Sequence, residues 1–259
     1  MFSELLITMP MFLFAIGACF LAGFIDSIAG GGGLISLPAY MMSGLPVHMA
    51  YGCNKFSSSF GTTIATYRYW KNKMVEVPVG IAAAIGAFLA SWGGAKIVLF
   101  MNEETIRMMM IVVLPIVAII TLMNKNMGVV DESEKNPLKN RVAFGAMIGV
   151  VVGFYDGIVG PGAGTFAIMA FCFLMKYSLN TASGNAKFLN LASNYGAMIV
   201  FLLEGSVYFK VAIPCAVAGI CGNILGSGFA IRYGAKGIRM MLIIVLVLLF
   251  INMGLDIFG

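Results

Sequence analysis

Residues 26–38 read DSIAGGGGLISLP and place a carboxylate beside four consecutive glycines in a chain that is otherwise strongly apolar. Such a stretch suits either the phosphate-binding loop of a soluble enzyme or a break in a membrane-spanning helix. Each glycine disfavours a helix by about 1 kcal/mol relative to alanine, so a run of four is expected to interrupt one. The composition of the whole chain decides between the two interpretations.

Of the 259 residues, 60% are hydrophobic and only 10% are charged, and the mean hydropathy is +0.96. An ordinary soluble domain carries about 25% charged residues. Apolar runs long enough to cross a bilayer of roughly 30 Å recur along this chain. The sequence therefore predicts an all-α polytopic protein of the cell (inner) membrane. The bases behind the net charge of +5 lie in short loops, as is typical of topology control, and no nucleic-acid partner is expected.

The sequence repeats itself on either side of a polar stretch. GFIDSIAG at residues 23–30 matches GFYDGIVG at residues 153–160, at a spacing of 130 residues. Lys55-Phe56 then matches Lys187-Phe188, at a spacing of 132. Two signatures in the same order favour a duplication. The chain divides into a first transmembrane repeat, a polar cytoplasmic linker and a second transmembrane repeat, at residues 1–123, 124–140 and 141–259.

Each repeat contains five apolar segments, and the second one is short. They span residues 4–25, 34–43, 47–67, 77–100 and 107–123, and then 141–156, 164–175, 181–203, 208–231 and 238–257. Ten helical residues rise about 15 Å, half of the hydrocarbon thickness. The short segment is therefore either a re-entrant half-helix or the completion of the broken helix before it.

The distribution of charge favours five crossings per repeat. With five, 11 lysines and arginines lie on one side of the membrane and 3 on the other, as the positive-inside rule requires. An odd number of crossings makes the two repeats inverted relative to each other, an arrangement that many secondary transporters share. We thus expect two inverted repeats, each with about four full spans plus a short or broken helix.

Four ionisable residues are expected at the depth of the lipid core: Asp26, Asp156, Lys55 and Lys187. Each costs on the order of 3 kcal/mol at a helix centre, and such residues normally mark a substrate or proton path. A structural Asp–Lys pair that locks helices together is the alternative, and the two interpretations are compatible. Asp26 and Asp156 are therefore candidates for proton coupling or lysine pairing.

Each lysine shares a helix face with polar side chains at positions i+3 and i+7. A helix that restarts after each glycine tract, near Leu34 and Thr165, would also present free backbone N–H groups and a positive dipole end, which favour an anion. The candidate substrate-binding residues are Lys55, Lys187, Asn54, Ser58, Thr62, Asn190, Asn194, Gly31, Gly32, Gly33, Gly162 and Gly164.

Enzymatic chemistry is not indicated. Neither glycine tract satisfies GxGxxG or is followed by GK[ST], so the phosphate-loop interpretation is dropped. The chain has one histidine, and none of its five cysteines forms a CxxC pair. We expect no catalytic residue, no metal and no cofactor.

The motifs together resemble the TauE/SafE family of membrane transport proteins, also called the sulfite exporter or TSUP family. The resemblance covers essentially the whole chain and rests on GFIDSIAGGGGLISLP, GCNKFSSSFGTTIATYRYWKN, GFYDGIVGPGAGTF, TASGNAKFLNLASNYGAMIVFLLEG and GNILGSGFAIRYG. It implies transport of a sulfur-containing anion such as sulfite, a sulfonate (sulfoacetate) or thiosulfate. The family is usually described as two four-span repeats, which agrees with ten segments only if the short helices are not counted.

We therefore expect a secondary transporter that moves a small sulfur-containing anion across the plasma membrane, coupled to protons and directed outward. An anion channel, or an importer of another small organic or inorganic anion, is the alternative. The expected partners are the small anionic substrate and the lipid bilayer, and a homodimer is compatible with the sequence.

Overall fold

The computed structural model describes residues 7–106, 108, 109, 112, 128 and 131–258, and within these residues it contains helices and no strand. The helices are α1 (Met9–Ala29), α2 (Gly33–Met42), α3 (Val47–Lys71), α4 (Val77–Phe100), α5 (Leu138–Ile158), α6 (Ala163–Met175), α7 (Leu179–Leu203) and α8 (Phe209–Phe258), with a 3-10 turn at Ser133–Lys135. Helix α8 is interrupted at Gly234, which has a φ of 54°.

Within the described residues, five helices are long and apolar enough to cross a membrane: α1, α4, α5, α7 and the Phe209–Gly234 part of α8. Helices α2 and α6 have 10 and 13 residues and rise about 15 and 20 Å, too little to span alone. The prediction of an all-α polytopic membrane protein is confirmed, whereas the inverted orientation of the repeats stays a prediction.

The helix bounds follow the predicted apolar segments with small shifts. Helix α1 runs four residues beyond the predicted end, to Ala29. Helix α5 begins at Leu138, inside the predicted linker, because Pro137 immediately before it has a φ of −54° that is compatible with a helix start. The predicted segment at 107–123, apart from residues 108, 109 and 112, lies outside the described residues. So do residues 1–6 and linker residues 124–127, 129 and 130.

The two halves of the chain pack through equivalent helices. Helix α1 packs on α8 and α5 packs on α4, while α3 and α7 contact each other and the fourth helix of the opposite half. A Cβ atom on Gly23 would lie 3.0 Å from the Cα of Gly219, and one on Gly153 would lie 2.5 Å from the Cα of Ala87. These contacts are related by the spacings of 130 and 132 residues seen in the sequence. The first helix of each half therefore packs in the same way against the fourth helix of the other half.

Helices α4 and α5 approach each other closely along a row of glycines. Gly145, Gly149, Gly153 and Gly157 recur every four residues on α5 and face α4. A Cβ atom on Gly157 would lie 2.5 Å from the carbonyl oxygen of Ser91, so no larger side chain fits there. In a membrane, where burial from water does not drive helices together, such rows of small residues permit close van der Waals packing.

The polar centre of the molecule lies between two buried apolar clusters. One cluster includes Ile28 and Phe171, and the other includes Tyr51 and Phe201. Lys55 and Lys187 each lie eight residues after the first residue of their helix, α3 and α7 respectively. The outer surface exposes large apolar side chains, such as Ile85 and Leu89 on α4, as contact with lipid requires.

Substitution of Gly86 by alanine should destabilise the α4–α5 contact. Its Cβ would lie 2.7 Å from the carbonyl oxygen of Ala146, so the backbones must separate, at a cost of about 1–3 kcal/mol. The melting temperature of the purified protein in detergent measures the effect. Gly93→Ala on the same helix is the matched control, because a Cβ atom there meets nothing within 4 Å. Equal melting temperatures for the two variants would contradict the close packing.

Candidate functional site

Two ion pairs cross between the halves at the centre of the molecule. Lys55 Nζ lies 2.8 Å from Asp156 Oδ2, and Lys187 Nζ lies 3.0 Å from Asp26 Oδ2. Each lysine thus pairs with an aspartate of the opposite half, which ties α3 to α5 and α7 to α1. The two lysine side chains are 2% and 0% exposed, so both ammonium groups are removed from solvent.

Further hydrogen bonds satisfy the other donors and acceptors of these charged side chains. Asp156 Oδ2 also accepts from Ser193 Oγ at 2.5 Å, and Lys55 donates to Asn194 Oδ1 at 3.4 Å. Lys187 also donates to the backbone carbonyl of Asp26. A buried ion pair offsets the loss of hydration only when such additional bonds satisfy it. The four charges sum to zero, so the cluster is electrically neutral as it stands.

The glycine tracts form two helix breaks, residues 30–32 after α1 and residues 159–162 after α5. Gly30, Gly160 and Gly162 have φ values of 75°, 86° and 83°, a conformation that glycine adopts without steric cost. Each break touches the start of the helix that follows the other break: a Cβ atom on Gly164 would lie 2.5 Å from the Cα of Gly30, and one on Gly33 would lie 3.3 Å from the Cα of Pro161. The glycines of the two tracts therefore allow both the turns that end the helices and the close contact between the tracts.

The helices restart at Gly33 and Ala163, one and two residues earlier than expected from the sequence. The N-termini of α2 and α6 thus meet beside the ion pairs, and their positive dipole ends face the same region. One N–H group that was expected to be free is already used, since Gly32 donates to Asp26 Oδ1 at 3.3 Å.

Carbonyl groups at the ends of α1 and α5 are satisfied by hydroxyl side chains that sequence reasoning missed. Tyr69 donates to Ser27 at 2.7 Å, Thr165 to Ala29 at 2.9 Å, Tyr51 to Val159 at 3.1 Å and Tyr155 to Pro161 at 2.7 Å. A helix end leaves its last carbonyls without intrahelical partners, and a buried end needs others. Hydroxyl groups within otherwise apolar segments are the signal that could have identified them.

A central cavity, in which about 30 Å³ is open to the centre of a water molecule, lies where the two breaks approach each other. Helices from both halves contribute to its wall. The predicted binding residues that line it are Asn54, Lys55, Ser58, Asn190, Asn194, Gly33 and Gly164, together with both aspartates, Asp26 and Asp156.

The remaining predicted binding residues do not line this cavity. Lys187 is fully buried against Asp26, and Gly32 borders a second cavity. Gly31 and Gly162 belong to the breaks without lining the central cavity. Thr62 is fully buried, and its hydroxyl has no hydrogen-bond partner within the described part of the chain.

The ion pairs allow a direct test by removal of one or both charges. Lys187→Met should lower the free energy of unfolding by about 3–5 kcal/mol, because Asp26 loses its counter-charge. The double variant Lys187→Met/Asp26→Asn carries neither charge and should recover much of this loss. Thermal unfolding in detergent measures both, with the exposed Lys210→Met as control. A double variant no more stable than the single one would contradict the pairing.

The fold and the central ion pairs define a class of protein. This is a multi-pass helical membrane protein with buried charged residues around a central cavity, as is typical of transporters. The family model described as "Sulfite exporter TauE/SafE" matches residues 15–253, and the chain belongs to this family. It is therefore a multi-pass membrane transporter, and the resemblance seen in the sequence is confirmed.

Curated relatives agree with this assignment. The chain is 36% identical over 250 residues to the probable membrane transporter protein ORF9 of Sinorhizobium sp., covering 95% of this chain and 92% of the relative. It is 33% identical over 248 residues to the probable membrane transporter protein YfcA of Escherichia coli K12, covering 94% and 90%. No solved structure matches.

Proposed function

We propose that this transporter is a secondary carrier for a small sulfur-containing oxyanion, coupled to protons and directed outward. Sulfite, a sulfonate such as sulfoacetate, and thiosulfate are the substrates we put forward. The observation that carries the proposal is the neutral cluster of two lysines and two aspartates beside a cavity where two helix N-termini meet. The family description supports a sulfur oxyanion, and the activity proposed is transport rather than catalysis.

The central cavity offers hydrogen-bond donors suited to an oxyanion. The Lys55 ammonium group, the amides of Asn190 and Asn194 and the hydroxyl of Ser58 come from both halves of the chain. Bonds from a charged donor to an anionic oxygen are shorter and about twice as strong as those between neutral groups. The helix dipoles at the N-termini of α2 and α6 add a positive electrostatic potential at the cavity without adding a charged side chain.

Proton coupling follows from the neutrality of the cluster. Both lysines already have a carboxylate partner, so an anion that enters alone would leave one negative charge uncompensated in a buried site, which is costly. A proton on one aspartate gives the cluster a net charge of +1 and releases an ammonium group from its counter-charge. The binding of proton and anion is then linked, and by thermodynamic necessity each raises the affinity for the other.

The interlocked halves offer a means of alternating access. The site lies between them and takes groups from each, so a relative motion of the halves would open it first to one side and then to the other. Inverted repeats that rock around a fixed midplane site operate in this way. The predicted inversion of the repeats and the central position of the cavity both support this mechanism.

Flux into liposomes tests the proposed function. The purified chain is reconstituted, and tracer movement of sulfite, sulfoacetate, thiosulfate and chloride is measured with and without a pH gradient. We expect saturable transport of at least one sulfur oxyanion, its accumulation when a pH gradient is imposed, and little movement of chloride. Lys55→Met should abolish this transport, while the exposed Lys210→Met should leave it unchanged.

Two results would contradict the proposal. Flux that does not saturate and ignores the pH gradient would identify an anion channel. Transport of chloride or of a carboxylate, with no movement of the three sulfur anions, would identify a carrier for another class of anion. Comparison of inside-out with right-side-out vesicles then distinguishes export from import.

A further inference from the structure

Asp26 borders a second cavity that Asp156 does not reach. This cavity lies between α1, α3, α8 and the start of α2. Its polar wall includes Ser36, Ser57 and Asn223. Asp26 and Ser58 line both cavities, so the Asp26 carboxylate stands where the two meet.

The equivalent position beside Asp156 is filled by a side chain. Ser193 on α7 corresponds to Gly61 on α3, by the same spacing of 132 residues that relates the two lysines. Ser193 Oγ donates to Asp156 Oδ2 at 2.5 Å, whereas Gly61 has no side chain to offer Asp26. Accordingly the Asp156 side chain is 8% exposed and that of Asp26 is 20% exposed.

The fourth helix of each half also carries different residues at the equivalent positions near these aspartates. Ser91 on α4 donates to the backbone carbonyl of Ser193 at 2.8 Å and supports it. Its counterpart on α8 is Asn223, whose amide nitrogen occupies the space that a side chain at Gly61 would need. The second half caps its aspartate with a hydroxyl group, whereas in the first half the Asn223 amide takes that space and donates to Gly219 instead. The hollow beside Asp26 is the second cavity, which Asn223 lines.

Asn223 indicates what this hollow holds. The residue is 3% exposed, and its amide nitrogen donates to the carbonyl oxygen of Gly219 at 2.9 Å, which orients the amide. Its Oδ1 atom is buried and has no hydrogen-bond partner in the ranges that the structure describes. Buried polar atoms of this kind are normally satisfied by ordered water. About 20 Å³ of this cavity is open to the centre of a water molecule, which is enough for an ordered water.

We propose that Asp26, and not Asp156, takes up the coupled proton, and that the cavity beside Asn223 is the water-filled route by which the proton arrives. This inference deepens the proposed function and rests on it. In the transfer, a hydronium ion in the cavity gives a proton to a carboxylate oxygen of Asp26, and water and a carboxylic acid result. Lys187 keeps its protons and loses its counter-charge, so the four-residue cluster changes from neutral to +1.

The groups around the two carboxylates support the assignment of the proton to Asp26. Asp26 faces Lys187 from α7, Lys55 and Tyr69 from α3, and Cys19 on its own helix. The residues of α2 and α8 that line the second cavity bring no titratable group.

The bonds that hold Asp26 ionised are the longer ones, 3.0 and 3.3 Å, compared with 2.8 and 2.5 Å at Asp156. Hydrogen bonds to a charged form favour that form. Asp156, which also faces Tyr51 and Tyr155, is therefore the carboxylate that stays ionised.

Labelling with a hydrophobic carbodiimide tests the inference without any substrate. The reagent adds to protonated carboxyl groups within membrane proteins, and peptide mass spectrometry then quantifies the adduct at each aspartate. The full chain in liposomes is labelled at about pH 5 and about pH 8, so that only the proton concentration differs between the two samples. We expect Asp26 to be labelled more at the lower pH, and Asp156 at least about tenfold less than Asp26, since one hydrogen bond to a charged group accounts for such a factor.

Two matched variants exchange the environments of the aspartates. Gly61→Ser combined with Asn223→Ser reproduces the capped arrangement of the second half and should reduce the labelling of Asp26 about tenfold. The asparagine is replaced as well, because its amide would collide with a serine at position 61. Ser193→Gly removes the cap from Asp156 and should raise the labelling of that residue by a similar factor. It only deletes atoms, so it remains informative if the double variant does not fold.

The outcomes separate this inference from the proposed function. Equal labelling of the two aspartates, preferential labelling of Asp156, or no response to Ser193→Gly would overturn the assignment of the proton to Asp26. Each of these results is compatible with proton-driven flux of a sulfur oxyanion through the wild-type protein. Conversely, preferential labelling of Asp26 in a protein that moves none of the tested anions would leave Asp26 as the proton-exchanging residue and reject the proposed substrate class.

Discussion

The free-energy cost of holding a charge away from water determines how this molecule is built. Two lysines and two aspartates lie among apolar helices, and each is tolerable there only because an opposite charge stands about 3 Å away. The partners come from different halves of the chain, separated by 101 and 161 residues in the sequence. The helix breaks, the hydroxyl groups that cap their carbonyls and the central cavity all surround these two pairs.

Much of the architecture follows from local features of the sequence. Apolar runs predict the helices because a segment in lipid must satisfy its own backbone hydrogen bonds. Glycine tracts predict the breaks, and charges within apolar runs identify the four residues at the centre. The pairing of Lys55 with Asp156 could not be predicted in the same way, because helical spacing constrains neighbours on one helix and carries no information on which helices meet. A pair within one half was equally compatible with the sequence.

The individual site residues illustrate the same limit. Thr62 shares a helix face with Lys55, but it lies about two turns further along α3 and does not line the central cavity, because periodicity places residues on a face and not at a depth. Ser193 is small enough to allow close helix contact, which is the usual role of such residues in membrane helices, but its hydroxyl reaches a carboxylate. Asn223 lies in the GNILGSGFAIRYG motif among small and apolar residues of α8, and the motif does not indicate what its side chain contacts. Its significance depends on the cavity, which only the three-dimensional structure reveals.

The crossing of the ion pairs between the halves has a consequence for biosynthesis. Asp26 and Lys55 emerge from the ribosome first, and their counter-charges follow more than a hundred residues later. At a synthesis rate of about 5–20 residues per second, the first half spends on the order of ten seconds with both charges unmatched. During this interval Asp26 and Lys55 lack the partners that they have in the folded protein. Helices α1 and α3 therefore reach their final ion pairs only when α5 and α7 arrive, so the charges of both halves are compensated in one late step of assembly.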